Sequence, residues 1–187
     1  NELDRSVLQF FEPVRLLEYI HDFIIFDGGI KKTARPNQYF AVKAAQPRVR
    51  KKQNGIIWHS QGSGKSLTMV WLAQWIRENV SDARVVIITD RDELDKQIES
   101  GFKDVGEQIQ RAKSGGKLIE MLNAAEPWLI CTLIHKFGNK NDSDAISVGN
   151  KKASKSLDLY LEELAKSLPA DFCAKGNIYV FIDECHR

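Results

Sequence analysis

A glycine-rich stretch at residues 55–68, GIIWHSQGSGKSLT, contains the residue types that bind a chain of phosphates. Gly62 and Gly64 let the backbone curl so that successive N–H groups point at phosphate oxygens, a concavity that side chains would obstruct. Lys65 would reach the β- and γ-phosphates of a nucleotide, and the Ser66 hydroxyl would ligate Mg²⁺. The helical pattern that follows would present its positive dipole end to the same anion. The stretch therefore predicts a nucleotide site.

One position departs from the pattern GxxxxGK[ST] of a phosphate-binding loop, or P-loop. The first glycine of that pattern is replaced by His59. This histidine has two interpretations: a satisfied side chain at the end of a strand, or an additional nucleotide contact. The residues alone leave both open.

A second cluster of reactive side chains lies near the end of the chain, in the sequence IYVFIDECH at residues 178–186. A buried strand there would deliver two adjacent carboxylates at its C-terminal end. Metal-assisted ATP hydrolysis needs such a pair, with Asp183 holding Mg²⁺ through water and Glu184 orienting or deprotonating the attacking water. Alternatively, the two acids only end a strand, but the glycine-rich loop upstream favours the catalytic interpretation. Cys185 and His186 lack metal-ligand spacing with a second His or Cys, so we exclude a zinc site.

The elements that must position these groups alternate along the chain. Continuous apolar, β-branched runs predict strands that are covered on both faces. A pattern that is apolar nearly all round predicts a buried helix at 65–78, with Trp71 and Trp75 in the core. The alternation favours an α/β fold of three layers with a mainly parallel sheet, in which ligands bind beyond the C-terminal ends of the strands. The predicted strands are Ile56–Trp58, Val85–Thr89, Leu129–Ile134 and Ile178–Ile182.

Two further helices and one loop complete the prediction. Asp90 and Glu93 predict a capped helix start that carries Leu94, Ile98 and Phe102. Residues 138–156 are poor in apolar side chains and are predicted to form a surface loop or insertion. A stripe at helical spacing follows, made of Leu157, Tyr160, Leu161, Leu164 and Leu168.

The first 54 residues divide into an acidic and a basic part. Residues 1–30 are predicted to form an N-terminal helical segment, with a helix from Pro13 through Phe26 that ends at Gly28-Gly29. Its buried side would carry Leu16, Leu17, Ile20, Phe23 and Ile24. Residues 31–54 hold eight Lys or Arg and no acid, which indicates either a solvated helix face or a nucleic-acid contact. The domain proper would then span residues 31–187.

Composition excludes several classes of protein. The 187 residues are 43% hydrophobic and carry a net charge of +2, which is typical of a soluble domain with its own core. Three cysteines without a CxxC pair argue against a disulfide framework. No apolar run reaches the roughly 18–20 residues of a membrane helix, and the N-terminus lacks the pattern of a signal peptide, so we expect a cytoplasmic protein. Because the chain stops directly after the acidic motif, we also expect it to be a fragment.

Together, GSGKS and DECH resemble the first motor domain of superfamily 2 helicases and translocases, whose acidic motif has the form DExH. Further segments are similar to the restriction (R) subunit of type I restriction enzymes, and they occur in that family's order. The loop WHSQGSGKS at 58–66 matches a P-loop of that branch, which also accounts for His59. The other segments are RPNQYFAV at 35–42, VVIITDRDELDKQ at 85–97 and CTLIHKF at 131–137.

This resemblance implies a RecA-like P-loop NTPase domain. It also implies a parent enzyme, an ATP-dependent type I deoxyribonuclease, that uses ATP and Mg²⁺ to translocate double-stranded DNA beside methyltransferase and specificity subunits. The nuclease and a second motor domain would lie outside these residues, so turnover by this chain alone should be negligible. Gln38 would contact the adenine base, and backbone contacts to DNA would come from Arg91, Thr132 and Lys136. The nucleotide-binding set would be completed by Gly62, Ser63, Gly64, Lys65 and Ser66.

Two alternatives remain open from the sequence. The chain could belong to another superfamily 2 helicase that acts on DNA or RNA, for which a preference for RNA would be evidence. It could also be a passive nucleotide-binding module used in assembly, which would show no hydrolysis stimulated by DNA.

Overall fold

The computed structural model describes residues 2–89, 92–133, 168 and 172–183 of the chain. Six helices and six strands lie within this described part. The helices are α1 (Glu2–Phe10), α2 (Pro13–Asp22), α3 (Pro36–Arg50), α4 (Lys65–Asn79), α5 (Asp92–Asp104) and α6 (Gly115–Asn123). The strands are β1 (Ile24–Asp27), β2 (Ile30–Thr33), β3 (Ala83–Thr89), β4 (Gln110–Arg111), β5 (Leu129–Leu133) and β6 (Asn177–Ile182).

The main sheet has the strand order β4-β5-β3-β6, and each of its strand pairs is parallel. Near the C-terminal end of the paired region, Ile88 of β3 lies opposite Thr132 of β5 and Ile182 of β6. β3, β5 and β6 confirm three of the four predicted strands to within two residues. The prediction missed β4 and the antiparallel hairpin of β1 and β2.

Helices cover both faces of this sheet, which confirms the three-layer α/β architecture. Val85 and Ile87 point to one face, where they share a core with Trp71, Trp75 and other residues of the helices. The two tryptophans are 1% and 4% exposed, so they are core residues as predicted. The opposite face carries a smaller cluster in which α6 packs on the sheet, made of Val86, Ala112, Leu118, Met121 and Ile130.

The predicted strand at Ile56–Trp58 is wrong. This segment has no strand structure, and Ile56 and Trp58 are 80% and 84% exposed. The physical reason is that a strand needs a neighbour for its backbone hydrogen bonds. Among the described residues, β6 is the edge of the sheet on one side, and Val180 and Ile182 of this edge strand are themselves exposed. An apolar run that is not paired with a strand does not become part of the sheet, whatever its composition.

The N-terminal helix is also shorter than predicted. α2 ends at Asp22, and the chain then forms the β1–β2 hairpin. Gly28 and Gly29 have φ angles of 56° and 83°, which makes them the two-residue turn of this hairpin and not a helix end. The predicted buried side was wrong at Leu17 and Ile20, which are 67% and 52% exposed.

Tyr19 anchors α2 instead. Its ring stacks on Phe23, and its hydroxyl donates to the Ala34 carbonyl at 2.5 Å. Phe23 is fully buried, as the sequence predicted, and its backbone follows directly on α2. The face of an amphipathic helix that becomes buried is thus set here by a ring contact and not by the number of aliphatic side chains.

α3 carries three of the eight basic residues of the block, and several charges of the block are engaged within the protein. Lys43 forms an ion pair with Glu18. The Arg50 guanidinium lies 5.2 Å from the centroid of the Trp75 ring, and Lys52 donates to the Asn177 side chain at 3.3 Å. These contacts favour a structural role for much of the block over a continuous nucleic-acid face.

A buried arginine ties together the loops at the N-terminal edge of the sheet. Arg84 of β3 is 3% exposed, and its guanidinium donates six hydrogen bonds to backbone carbonyls. Burial lowers the pKa of Arg84, while the nearby charge of Glu126 opposes this effect. The accepting carbonyls belong to Met121, Leu122, Ala124, Pro127 and Lys175.

Some predictions lie outside the described residues, namely the loop at 138–156, the stripe at 157–168 except for residue 168, and the start of a helix at Asp90. Downstream of that start, Ile98 and Phe102 of α5 are buried, as their spacing predicted. Within the described part, no helix is both long and apolar enough to cross a bilayer.

Candidate nucleotide site

The glycine-rich turn has the curled backbone that the sequence predicted. Gly62 and Gly64 have φ angles of 77° and 83°, in the left-handed region that favours glycine. Between them, the Ser63 hydroxyl donates to the Ser60 carbonyl at 2.7 Å and closes the turn. α4 begins directly afterwards, at Lys65.

The start of α4 is suited to bind an anion. The residue that precedes the helix is Gly64, and no side chain in the described part of the structure caps this terminus. The positive end of the helix dipole at this terminus therefore favours a negatively charged group. Lys65 is half-buried at this terminus and Ser66 is exposed, so both can face a ligand.

A cleft of about 500 Å³ opens beside the turn. Its walls include Arg35, Asn37 and the residues of the segment 58–63. This volume lies within the range of roughly 300–1,000 Å³ that is usual for small-molecule sites. The Nδ1 atom of His59 is buried on the cleft wall and has no hydrogen-bond partner in the structure as described. The cleft is an open surface concavity beside the turn and is large enough to receive part of a nucleotide.

Gln38 lies against the turn and is only 2% exposed. Its Oε1 accepts from the Arg35 backbone N–H at 2.8 Å, and its Nε2 donates to the Gly64 carbonyl at 3.0 Å. A Cβ atom added to Gly64 would lie 2.3 Å from this Nε2, so the contact requires glycine. The structure places the Gln38 amide on the phosphate loop itself, a contact that the sequence did not indicate.

The lengths of two elements bring α4 to the end of the sheet that carries the acidic motif. α4 has 15 residues, or about 22 Å, and packs on β3, which begins four positions after the helix ends. β3 has seven residues, or about 23 Å, and runs back in the opposite direction. The start of α4 therefore lies at the C-terminal edge of the sheet. β6 ends at this same edge, where the Asp183 N–H donates to the Ile88 carbonyl at 3.0 Å.

Thr89 is a residue of this edge that sequence reasoning missed. It ends β3, it is 1% exposed, and its hydroxyl has no hydrogen-bond partner in the described structure. The sequence shows only a threonine at the end of an apolar strand, and a missing partner becomes visible only in three dimensions.

The remaining predicted site residues either lie outside the described part of the chain or are buried. Glu184, Arg91 and Lys136 lie outside the described residues. Thr132 is 1% exposed within β5, so its hydroxyl is closed off from solvent and from a DNA phosphate in this arrangement. The burial of Thr132 argues against a direct contact with DNA.

Comparison with known proteins identifies the family of the chain. The family model described as SWI2/SNF2 ATPase matches residues 37–187. A type I restriction enzyme endonuclease subunit of Methanocaldococcus jannaschii is 33% identical over 154 residues, which cover 76% of this chain and 15% of the relative. A type I restriction enzyme endonuclease subunit of Staphylococcus saprophyticus is 27% identical over the whole of this chain, which covers 18% of that relative. The HindI endonuclease subunit of Haemophilus influenzae is also 27% identical over the whole chain, which covers 17% of it.

The chain thus spans less than a fifth of the length of these curated relatives. Their names confirm the resemblance to the endonuclease subunits of type I restriction enzymes. The family model covers most of the chain, from the residue before Gln38 through the acidic motif. By this match the chain belongs to the SWI2/SNF2 ATPase family.

Proposed function

We propose that these residues form the ATP-binding part of an ATP-dependent double-stranded DNA translocase, the motor of a type I restriction endonuclease. The observation that carries the proposal is the meeting of two features at one edge of the sheet. The uncapped start of α4 follows the glycine-rich turn, and β6 delivers Asp183 to the same edge. A phosphate chain and its metal ion need these two features side by side.

Each site residue has a role in this proposal. The backbone of the turn at 62–64 and the Lys65 ammonium hold the phosphates, while the Ser66 hydroxyl and the Asp183 carboxylate hold Mg²⁺. The bound metal neutralises charge on the phosphates. Glu184 accepts a proton from the attacking water or orients it. Gln38, which supports the turn in the structure, would also contact the adenine base.

The proposal includes DNA and protein partners. Arg91 and Lys136 would contact the phosphates of duplex DNA, which gives affinity without reading the sequence, as a moving motor requires. Methyltransferase and specificity subunits would hold the recognition site. DNA cleavage would reside in other parts of the longer protein, and such a motor would work in the cytoplasm.

By itself, the chain should bind ATP but hydrolyse it negligibly. A second motor domain would complete the ATP cleft and supply an arginine to the transition state. Turnover is therefore best tested in the full-length subunit, while binding is tested in both.

The central experiment compares two lysine variants of the full-length subunit by equilibrium binding of ATP with Mg²⁺. Lys65→Ala should abolish binding, because it removes the cation at the start of α4. Lys117→Ala is the control, since the Lys117 side chain forms an exposed ion pair with Glu120 on α6, and this variant should bind ATP like the parent. Unchanged binding by Lys65→Ala would refute the nucleotide site.

A second experiment tests the motor function and separates it from the alternatives. ATP hydrolysis by the full-length subunit, assembled with its partner subunits, should increase on adding duplex DNA and respond little to RNA. DNA affinity should fall steeply as salt rises, because phosphate contacts release counterions. Stimulation by RNA would indicate a different helicase, and no stimulation by either would indicate a passive binding module.

A further inference from the structure

The Thr89 hydroxyl is one of several buried side-chain polar groups of the described residues for which no hydrogen-bond partner is found. Its residue is 1% exposed, and the oxygen has no hydrogen-bond partner in the described structure. Buried polar groups in proteins almost always have a partner, because leaving one unpaired costs free energy. β3 otherwise consists of Ala, Arg, Val and Ile, so a valine at this position would pack equally well without that cost.

The hydroxyl lies on the side of the sheet where a nucleotide would bind. Side chains two residues apart on a strand share a face, so Thr89 is on the face of Val85 and Ile87. Both belong to the core cluster that contains Trp71 and Ile76 of α4. Thr89 is therefore at the end of the strand that lies under α4, at the edge where this helix begins.

The neighbouring strand places the acidic motif beside it. Ile88 pairs with Ile182, and the Asp183 N–H donates to the Ile88 carbonyl at 3.0 Å. One further step along this parallel register brings Thr89 next to Asp183. Thr89 thus ends β3, and Asp183 directly follows the adjacent strand β6 at the same edge of the sheet.

We propose that Thr89 is a positioning residue of the nucleotide site. When nucleotide and Mg²⁺ are bound, its hydroxyl donates a hydrogen bond to the Asp183 carboxylate and fixes the orientation in which that carboxylate holds the metal. This donor is left unpaired in the empty site. The inference rests on the proposed function, because it assumes that Asp183 serves Mg²⁺.

The test uses Thr89→Val in the full-length subunit, since valine keeps the shape and removes the hydroxyl. Without nucleotide, the variant should melt at the same or a higher temperature than the parent, because an unpaired polar group is gone. With nucleotide, the loss of one hydrogen bond should lower kcat about tenfold, and the Mg²⁺ concentration for half-maximal activity should rise. The parent should bind nucleotide more tightly in Mg²⁺ than in EDTA, and this gain in affinity should be severalfold smaller in Thr89→Val. Thr89→Ser should restore all of these properties.

Ile87→Val is the matched control, because it changes packing on the same face of β3 and should leave the Mg²⁺ dependence unchanged. Parent-like kcat and Mg²⁺ dependence in Thr89→Val would overturn the inference. A lower melting temperature of the empty variant would also overturn it, since the hydroxyl would then already be paired. A failure of the proposed function can be distinguished from a failure of this inference, because it would appear as unchanged ATP binding by Lys65→Ala.

Discussion

Replacing Gln38 by alanine tests whether the phosphate loop depends on a side chain from another helix. The Gln38 amide joins the start of α3 to the Gly64 carbonyl. If this contact holds the turn in its curled form, its loss should weaken every ligand that carries a triphosphate. If Gln38 serves only to read the base, its loss should weaken ATP alone.

The magnitude follows from what each partner loses. The Gly64 carbonyl keeps hydrogen bonds from the Thr68 N–H at 3.1 Å and the Thr68 hydroxyl at 3.2 Å, so it is not orphaned. The Arg35 N–H belongs to an exposed residue and can turn to water. Two ordinary hydrogen bonds are then worth about 1–3 kcal/mol, and one buried methylene adds about 0.8 kcal/mol. The bond to the turn alone, at about 1.4 kcal/mol, corresponds to about tenfold in affinity.

The assay is equilibrium binding of ATP, GTP and inorganic tripolyphosphate to the full-length subunit. We predict that all three ligands bind Gln38→Ala about tenfold more weakly. Any additional loss for ATP relative to GTP measures base contact by this side chain. Gln46→Ala is the control, because Gln46 is also a buried glutamine of α3, 6% exposed, but is two turns away from this contact. An unchanged affinity for tripolyphosphate would refute the supporting role of Gln38.

Three further predictions concern other parts of the chain. Gly64→Ala should weaken ATP binding more than Gly62→Ala, as measured by isothermal titration calorimetry. Both glycines have a positive φ, but only at Gly64 would the new Cβ lie 2.3 Å from an amide nitrogen, that of Gln38. Arg84→Met should lower the free energy of unfolding by about 3–4 kcal/mol in urea titration, since it orphans several buried carbonyls, and Arg84→Lys should not restore it. The Asp22 carboxylate raises the pKa of His21 above 6.5, so this pair should stabilise the fold fully below pH 6.5 and lose its effect as pH rises through the raised pKa. NMR titration of His21 should show that pKa falling in Asp22→Asn.

The hydrophobic pattern of the sequence predicted strands correctly where both faces of the strand are buried in the core. β3 and β5 are continuous apolar runs, and their burial on both sides leaves no alternative structure that hides so many side chains. The sequence pattern gave a wrong prediction where contacts with another part of the chain decide the structure. The run at 56–58 has strand composition, but it is not paired with any described strand. The periodicity of α2 predicted a helix correctly, whereas the face that packs was chosen by Tyr19 and not by Leu17.

The same distinction holds for the candidate site. The glycines of the turn were predictable, because a positive φ and a close backbone approach demand that residue type. The contact of Gln38 with Gly64 joins residues that are 26 positions apart, and only the packing of α3 against α4 creates it. Thr89 could not be singled out either, because a missing hydrogen-bond partner is a property of the folded chain.

The helix starts of this chain show where it departs from the usual rules of stability. Glu12 caps α2 by accepting from two backbone N–H groups, and Ser114 caps α6 by accepting from one. α4 begins instead after a left-handed glycine and has no side-chain cap in the described structure. At the same edge, the His59 ring nitrogen and the Thr89 hydroxyl are buried without partners there. Each departure costs free energy in the empty protein, and proteins tend to retain such costs at functional sites. A nucleotide and its metal ion at this edge would bring charge to the start of α4 and order Asp183 beside Thr89, so these features support the proposed nucleotide site in addition to the sequence motif.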